Sequence, residues 1–398
     1  MISNKMSQLL ERSAAMSNMY TEGARMKALY GVENVYDYGL GNPNLPAPDI
    51  VRETSIRILN ETDPWYLHHY MPNNGFIEAR EKIAASLNRR FGENYGIDNI
   101  IFCTGAAGGI NCLLKVLMDP GQEVLTFAPY FGEYDRYADN VGCTLVAVPA
   151  NVPTFQPDAA EMAKYITDKT RAVLLNNPHN PTGVVYSAET IKAICDVLAE
   201  KEQEFGHAIY LISDEPYREL VYDGVTVPWI PDFYKNTIVA YSFSKSLSLP
   251  GDRVGYLAFG NDVEDFENIV YGVAVAARIM GFINAPSLQQ MVVAECCEET
   301  VDISFYDRNR ERLYQELTSY GYEVAKPQGA FYMFVKTPTP DDKLFAQKAK
   351  EYRLIVTPGS GFGCAGYVRL SYCVNYATVE GSLPAFKALM EYFTEGKL

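Results

Sequence analysis

Seven short apolar and β-branched runs, separated by amphipathic helical patterns, constrain this chain more than any other feature. The runs are Ile100–Cys103, Glu123–Phe127, Thr144–Val148, Ala172–Leu175, Ile209–Ser213, Thr237–Tyr241 and Val254–Phe259. Stretches such as Ala106–Met118 and Ala188–Lys201 carry apolar residues at helical spacing between them. Near-continuous apolar strands are buried on both faces, and strands that alternate with helices build parallel sheets. The pattern predicts an α/β fold with a mostly parallel central sheet flanked by helices. Sheets of that kind bind ligands at the carboxyl ends of their strands.

The flanks read differently. A helical pattern from Met6 to Tyr30 leads into a loop rich in Gly, Asn and Pro, Gly39 to Pro48. After about residue 290, long helical patterns (Gln289–Glu299, Ile303–Tyr320, Asp341–Tyr352 and Val379–Thr394) interleave with short strands at Phe331–Val335, Leu354–Val356 and Tyr367–Tyr372. We expect a large domain over 46–288 and a small α+β domain assembled from both chain ends, 1–45 and 289–398.

Charge and composition narrow the function classes. With 34 Lys+Arg against 49 Asp+Glu the net charge is −15, so no general affinity for nucleic acid or for an anionic membrane is expected. No apolar run approaches the ~20 residues of a membrane span. The polar Met1–Tyr20 stretch carries Glu11 and Arg12 where a secretory leader would be apolar, which points to a cytoplasmic protein. Eight cysteines without a CxxC and four histidines without HExxH spacing predict core thiols and no metal site.

Chemistry concentrates in a few punctuated stretches. Tyr241-Ser242-Phe243-Ser244-Lys245 places a lysine at the exit of a buried strand. Ser242 and Ser244 precede it by three and one residues, and Arg253 follows by eight. Hydroxyls and a guanidinium so spaced could hold a phosphate. Ser242-x-x-Lys245 also fits the S-x-x-K motif of penicillin-recognising acyl enzymes, but the companion S-D-N and K-T-G motifs are missing. Gly361-Phe362-Gly363-Cys364-Ala365-Gly366 fits G-x-G-x-x-G, yet an alternating strand pattern follows where a dinucleotide site needs a helix. Thr104-Gly105-Ala106-Ala107-Gly108-Gly109 follows a strand and opens a helix, which frees backbone N–H groups for an anion. Asn176-Asn177-Pro178-His179-Asn180-Pro181-Thr182-Gly183 is longer than a turn requires. Ser213-Asp214-Glu215-Pro216-Tyr217 puts acids straight after an apolar strand, where a carboxylate needs a cationic partner.

Taken in order, N-P-x-N-P-T-G, S-D-E-x-Y, then S-x-S-K with G-x-R-x-G resemble the class I/II aminotransferases, fold-type I enzymes that use pyridoxal 5′-phosphate (PLP). The resemblance runs from the Gly41-Asn42-Pro43 loop to Arg369. It implies that Lys245 is the Schiff-base lysine and proton carrier, that Asp214 pairs with the pyridine nitrogen, and that Tyr217 and Asn180 bond the ring's 3′ oxygen. The phosphate would be held by backbone N–H groups of Gly105, Ala106 and Ala107, by Ser242 and Ser244, and by Arg253. Phe131 matches the ring-stacking aromatic, with Tyr130 one register away. Arg369 and Gly41, with Asn180, would meet the substrate α-carboxylate. Tyr70 matches a tyrosine that reaches the phosphate of a neighbouring subunit, which implies a homodimer with shared active sites.

The implied reaction moves an amino group from an L-amino acid to a 2-oxo acid through pyridoxamine phosphate. The same electron sink serves β-eliminating relatives such as C–S lyases. The side-chain specificity stays open. Ala107 stands where some aspartate aminotransferases carry a lysine, and Arg278 lies near where others place a distal-carboxylate arginine.

Overall fold

The computed structural model describes the backbone of residues 2–396, and side chains over that range except at 8 and 11–20. Strand β1 (Tyr36–Asp37) follows the helix Asn4–Tyr30. The expected runs then form β2 (Ile100–Cys103), β3 (Glu123–Phe127), β4 (Thr144–Val148), β5 (Thr170–Asn176), β6 (Tyr210–Asp214), β7 (Thr237–Ser242) and β8 (Gly255–Phe259). They make one seven-stranded sheet in the order β2-β8-β7-β6-β5-β3-β4. Only β8 runs against its neighbours.

Alternate residues of these strands enter different cores, as a sheet covered on both faces requires. Val124, Leu174, Ile212 and Leu257 pack with Ile110, Leu113, Tyr134 and Val273 from helices Gly105–Leu117, Glu133–Asn140 and Phe266–Ile279. Leu125, Val173, Leu175 and Leu211 pack on the other face with Ile191, Ile194 and Leu198 of helix Ala188–Phe205. Each such aliphatic side chain contributes about 1.5–3 kcal/mol by leaving water.

The second sheet contains β9 (Tyr332–Lys336), β11 (Thr357–Pro358) and β12 (Tyr367–Ser371), all antiparallel in the order β11-β12-β9. Strand β10 (Leu354–Ile355) pairs with β1 in parallel, so a segment near the chain start joins the C-terminal region. Their common core includes Tyr38, Leu313, Phe331, Phe345, Leu370 and Phe386.

Helices Asp49–Glu61 and Ile77–Phe91 have no counterpart in the sequence reading. The first buries Val51 and Ile58 but leaves Ile50, Ile56 and Leu59 at least 40% exposed, so its apolar residues do not mark one face. Both helices pack against Ser287–Glu295, a helix that spans the expected boundary at 288. Val292, Val293 and Ala294 of that helix share a core with Ile83 and Val239. No helix among the described residues is long and apolar enough to cross a membrane.

Candidate active site

The sheet topology gathers the punctuated stretches at one edge. Strands β5, β6 and β7 are parallel and end at Asn176, Asp214 and Ser242. Strand β8 runs the other way, so it begins at that same edge. Its first residue, Gly255, pairs with both Ser242 and Cys103. This register sets Arg253, two residues upstream, beside the serines and the start of helix Gly105–Leu117. Only glycine fits at 255, since a Cβ there would stand 2.2 Å from the Tyr241 carbonyl oxygen.

A cavity of about 930 Å³ opens at this edge, with the β9–β12 sheet forming part of its wall. It brings together Gly41, Ala106, Ala107, Phe131, Asn180 and Asp214, and with them Tyr217, Ser242, Ser244, Lys245, Arg253 and Arg369. Gly105 stands behind Arg253: a Cβ on it would lie 3.1 Å from a guanidinium nitrogen. Tyr130 turns its ring against Gly363, while Phe131 lines the cavity. Tyr70 and Arg278 do not line the cavity; Tyr70 is 80% exposed and Arg278 sits on the exposed last turn of helix Phe266–Ile279.

Lys245 lies in a single helical turn, Phe243–Ser246, that follows β7 directly. Its Nζ donates to the Gly41 carbonyl at 2.8 Å, not to Ser242. Burial is the main force that pushes its ammonium down to about 8. Ser242 Oγ accepts from the Ser244 backbone N–H and bonds Ser244 Oγ at 2.8 Å, so the two hydroxyls form a pair. Arg253 adopts φ +53 and donates to the carbonyls of Pro250 and Thr104. Two hydroxyls, a guanidinium and a helix N-terminus thus share one corner, a donor set suited to a phosphate.

Among the described residues, Asp214 is the one carboxylate lining the cavity. Its Oδ2 accepts from Tyr134 Oη at 2.5 Å, whereas Oδ1 is buried without any partner. Burial pushes the carboxyl up to about 7 despite the Tyr134 hydrogen bond. A buried carboxylate oxygen left unpaired is costly, and a cationic N–H donor entering the cavity would relieve it. Asn176 Nδ2 donates to the Asp214 carbonyl at 2.9 Å and Asn176 Oδ1 accepts from the Asn180 backbone N–H at 2.7 Å, tying the two predicted stretches together.

Arg369 extends from β12. One NH2 group donates to Gly39 O at 2.8 Å and the other to Asn180 Oδ1 at 3.1 Å, while Nε is buried and unpartnered. The guanidinium is stacked near the rings of Tyr332 and Phe362, at 4.7 and 4.9 Å from their centroids. Tyr332 Oη bonds Tyr217 Oη at 2.8 Å. The same phenol presses on Gly41, where a Cβ would lie 2.1 Å from it.

Tyr134, Tyr332, Asn176 and Gly39 complete the site and escaped the sequence reading. Tyr134 carried a signal, since it sits one helical turn beyond Phe131. Tyr332 carried none, because an aromatic in an apolar strand reads as core. The Gly361–Gly366 stretch forms a short turn, Gly359–Phe362, and then enters β12, with no helix after it. Among the described residues no cluster of His, Cys, Asp and Glu could hold a metal.

Comparison with known proteins identifies the family. Residues 33–384 match the family model for aminotransferase class I and II. The aromatic-amino-acid aminotransferase 2 of Thermococcus litoralis is 30% identical over 383 residues, covering 91% of this chain and 93% of the relative. A crystal structure of an amino transferase from Eubacterium rectale superposes with a TM-score of 0.96 at 42% identity, covering 99% of both chains. The aspartate aminotransferase of Thermus thermophilus, solved with maleate, gives a TM-score of 0.82 at 26% identity, covering 94% of this chain and 96% of that one. The chain therefore belongs to the aminotransferase class I and II family, whose members use PLP to act on amino acids and 2-oxo acids, and it is an aminotransferase.

Proposed function

We propose that this chain binds PLP in the cavity and transaminates amino acids through Lys245. The observation that carries the reading is the unpartnered, buried Oδ1 of Asp214 at the end of β6, facing a cavity with no other acid in its lining among the described residues. A protonated pyridine nitrogen is the donor it lacks. Ser242, Ser244, Arg253 and the backbone N–H groups at Gly105, Ala106 and Ala107 would hold the phosphate. Phe131 would stack on the ring, and Tyr217 and Asn180 would bond its 3′ oxygen. When bound, PLP supplies an aldehyde for amine exchange and a ring that takes up the electrons released when the substrate's Cα–H bond breaks.

The chain's own groups supply the rest. Burial brings the Lys245 amine down to about 8, so that it is mostly neutral above that pH, the form that can bond to a carbonyl carbon. With the cofactor present, Nζ would be the base placed to take the proton from the substrate's Cα. Asp214, held in place by the Tyr134 hydrogen bond, would keep positive charge on the ring nitrogen. Arg369 presents a planar fork to the α-carboxylate, a fit lysine would not reproduce. Replacing Arg369 by Ala therefore raises KM for amino acids about 30-fold or more, with a much smaller change in PLP affinity. Equal losses of both would count against its role.

The domain division at 46–288 against 1–45 and 289–398 belongs to the same reading, with substrate capture by Arg369 on β12 drawing the two sheets together. A homodimer with shared sites also belongs to it. Tyr70 and Trp65 are 80% and 74% exposed, and Ile56, Leu59, Tyr271 and Ile279 add apolar surface of the kind a partner covers. The partner subunit's Tyr70 would then complete the phosphate site. Mixing inactive Lys245→Ala and Tyr70→Ala proteins should restore roughly a quarter of wild-type activity, from one intact site in each mixed dimer; no recovery would separate Tyr70 from the site. A cytoplasmic location is supported by eight cysteines that are all unpaired.

A further inference from the structure

Tyr332 holds no assigned part in binding or proton transfer, yet it touches three residues that do. Its Oη bonds Tyr217 Oη, its ring lies under the Arg369 guanidinium, and its hydroxyl fills the space beside Gly41. The Gly41 carbonyl in turn holds Lys245 Nζ.

The fold pins this side chain. Ala330 N donates to Leu220 O, and Ala330 O accepts from Tyr222 Oη at 2.5 Å and from Tyr372 Oη at 3.2 Å, which fixes the entry to β9. Across the antiparallel strands Tyr332 pairs with Ser371, and Phe334 with Arg369. Tyr332 and Arg369 are therefore diagonal neighbours on one face of the sheet, within reach of each other's long side chains. Phe331 and Tyr332 both meet the Tyr217 ring edge-on, with centroids 5.6 and 5.5 Å away.

A phenylalanine ring would fill the same space in this core, so the hydroxyl needs its own reason. Tyr217 and Tyr332 are both buried, their oxygens lie 2.8 Å apart, and among the described residues neither phenol has another hydrogen-bond partner. Two O–H groups that share one bond leave one proton without an acceptor. When Tyr217 spends its O–H on the 3′ oxygen of the cofactor, its lone pair is left to accept from Tyr332. The Arg369 cation, 4.7 Å from the Tyr332 ring centroid, favours that polarity, because a positive charge beside a phenol makes it the better donor. Burial pushes Tyr332 up to about 12 and Tyr217 well above its ordinary value, with Arg369 opposing both, so the two phenols keep their protons. The other titratable groups that act on the pair are Asp214 at the end of β6 and Cys373 just past β12, whose thiol burial pushes up to about 12. Lys245 lies beside Cys373.

We propose that Tyr332 is a positioning residue that acts through Tyr217: it donates to the Tyr217 hydroxyl, and so aims and strengthens the Tyr217 O–H that would bond the cofactor's 3′ oxygen. Hydrogen bonds in series polarise one another. The proposal rests on the PLP reading, with Tyr217 on that oxygen. A stronger donor there favours the bare anionic oxygen over the form that shares a proton with a neighbouring nitrogen. It therefore lowers the pH at which the near-visible band of the PLP-loaded protein titrates.

The test follows that band as the pH of the loaded protein is varied. Tyr332→Phe keeps the ring under Arg369 and removes only the hydroxyl, so the band should titrate about 0.5–1 pH unit higher than in wild type, the scale of one hydrogen bond. Tyr217→Phe should shift it further in the same direction. Adding Tyr332→Phe to Tyr217→Phe should bring no further shift, because the path through Tyr217 is already cut. A Tyr332→Phe band that titrates at or below the wild-type pH, or shifts that add in the double variant, overturns the role of Tyr332 while leaving the PLP reading intact. A wild type that shows no near-visible band with PLP overturns that reading and this role with it.

Discussion

Replacing Lys245 by Ala should lower kcat by about 10⁴-fold or more, the largest single effect in the molecule. Two functions are lost together: the amine that bonds the cofactor, and the base that carries the proton away from Cα. No neighbouring lysine can stand in. Among the described cavity-lining residues only Lys343 and Lys350 are also lysines, one on the helix after β9 and the other just past its end. The fold should survive, because Nζ makes one hydrogen bond, to Gly41 O, and removing a buried cation relieves its desolvation. Wild type supplied with PLP should show a near-visible absorption band that the variant lacks. The rate at which the cofactor-free protein takes up PLP should climb with pH and level off above about 8, where the Lys245 amine becomes neutral. A profile that climbs steadily to pH 10 would mean an ordinary lysine.

Asp214→Asn should lower kcat by about 10²–10³-fold, the scale of a lost preorganised charge. Asparagine keeps the shape and can still accept from Tyr134, but it cannot hold a proton on the ring nitrogen. The same substitution should raise the stability of the cofactor-free protein. The Asp214 carboxyl is pushed up to about 7 by burial, against an ordinary value of 3.8. Below 3.8 it is neutral in both folded and unfolded chains and costs nothing. Between 3.8 and 7 the unfolded chain sheds the proton first, so stability falls as pH rises. Above 7 the full cost is present, a few kcal/mol at about 1.4 per unit. The variant should therefore melt above wild type at pH 8, with the gap closing toward pH 4. Tyr134→Phe should widen the Asp214 shift, since the Tyr134 hydrogen bond opposes burial. An Asp214→Asn protein that is no more stable at pH 8 would mean that Oδ1 is not stranded.

Much of this was legible in the chain because the signals were local. The seven strands announced themselves as apolar runs, and β2, β3 and β4 fall where the runs fall. Lys245, Asp214 and Asn180 stand at strand exits, where a polar residue after an apolar run has no packing explanation. What stayed hidden depends on long-range partners. Tyr332 becomes part of the site through Tyr217 and Arg369, over a hundred and 37 positions away in the chain respectively. The reversal of β8, which brings Arg253 to the phosphate corner, is a property of sheet order that no single segment displays. Helix Asp49–Glu61 was missed because its exposed Ile50, Ile56 and Leu59 blur the amphipathic pattern.

Everything above turns on which amine engages the cofactor. Incubating the purified protein with PLP, reducing with borohydride and mapping the digest by mass spectrometry measures this directly. A single pyridoxyl-phosphate label should appear on the peptide that carries Lys245, and Lys245→Ala should abolish it. A label at another lysine, or none after incubation at pH 8, would contradict the account.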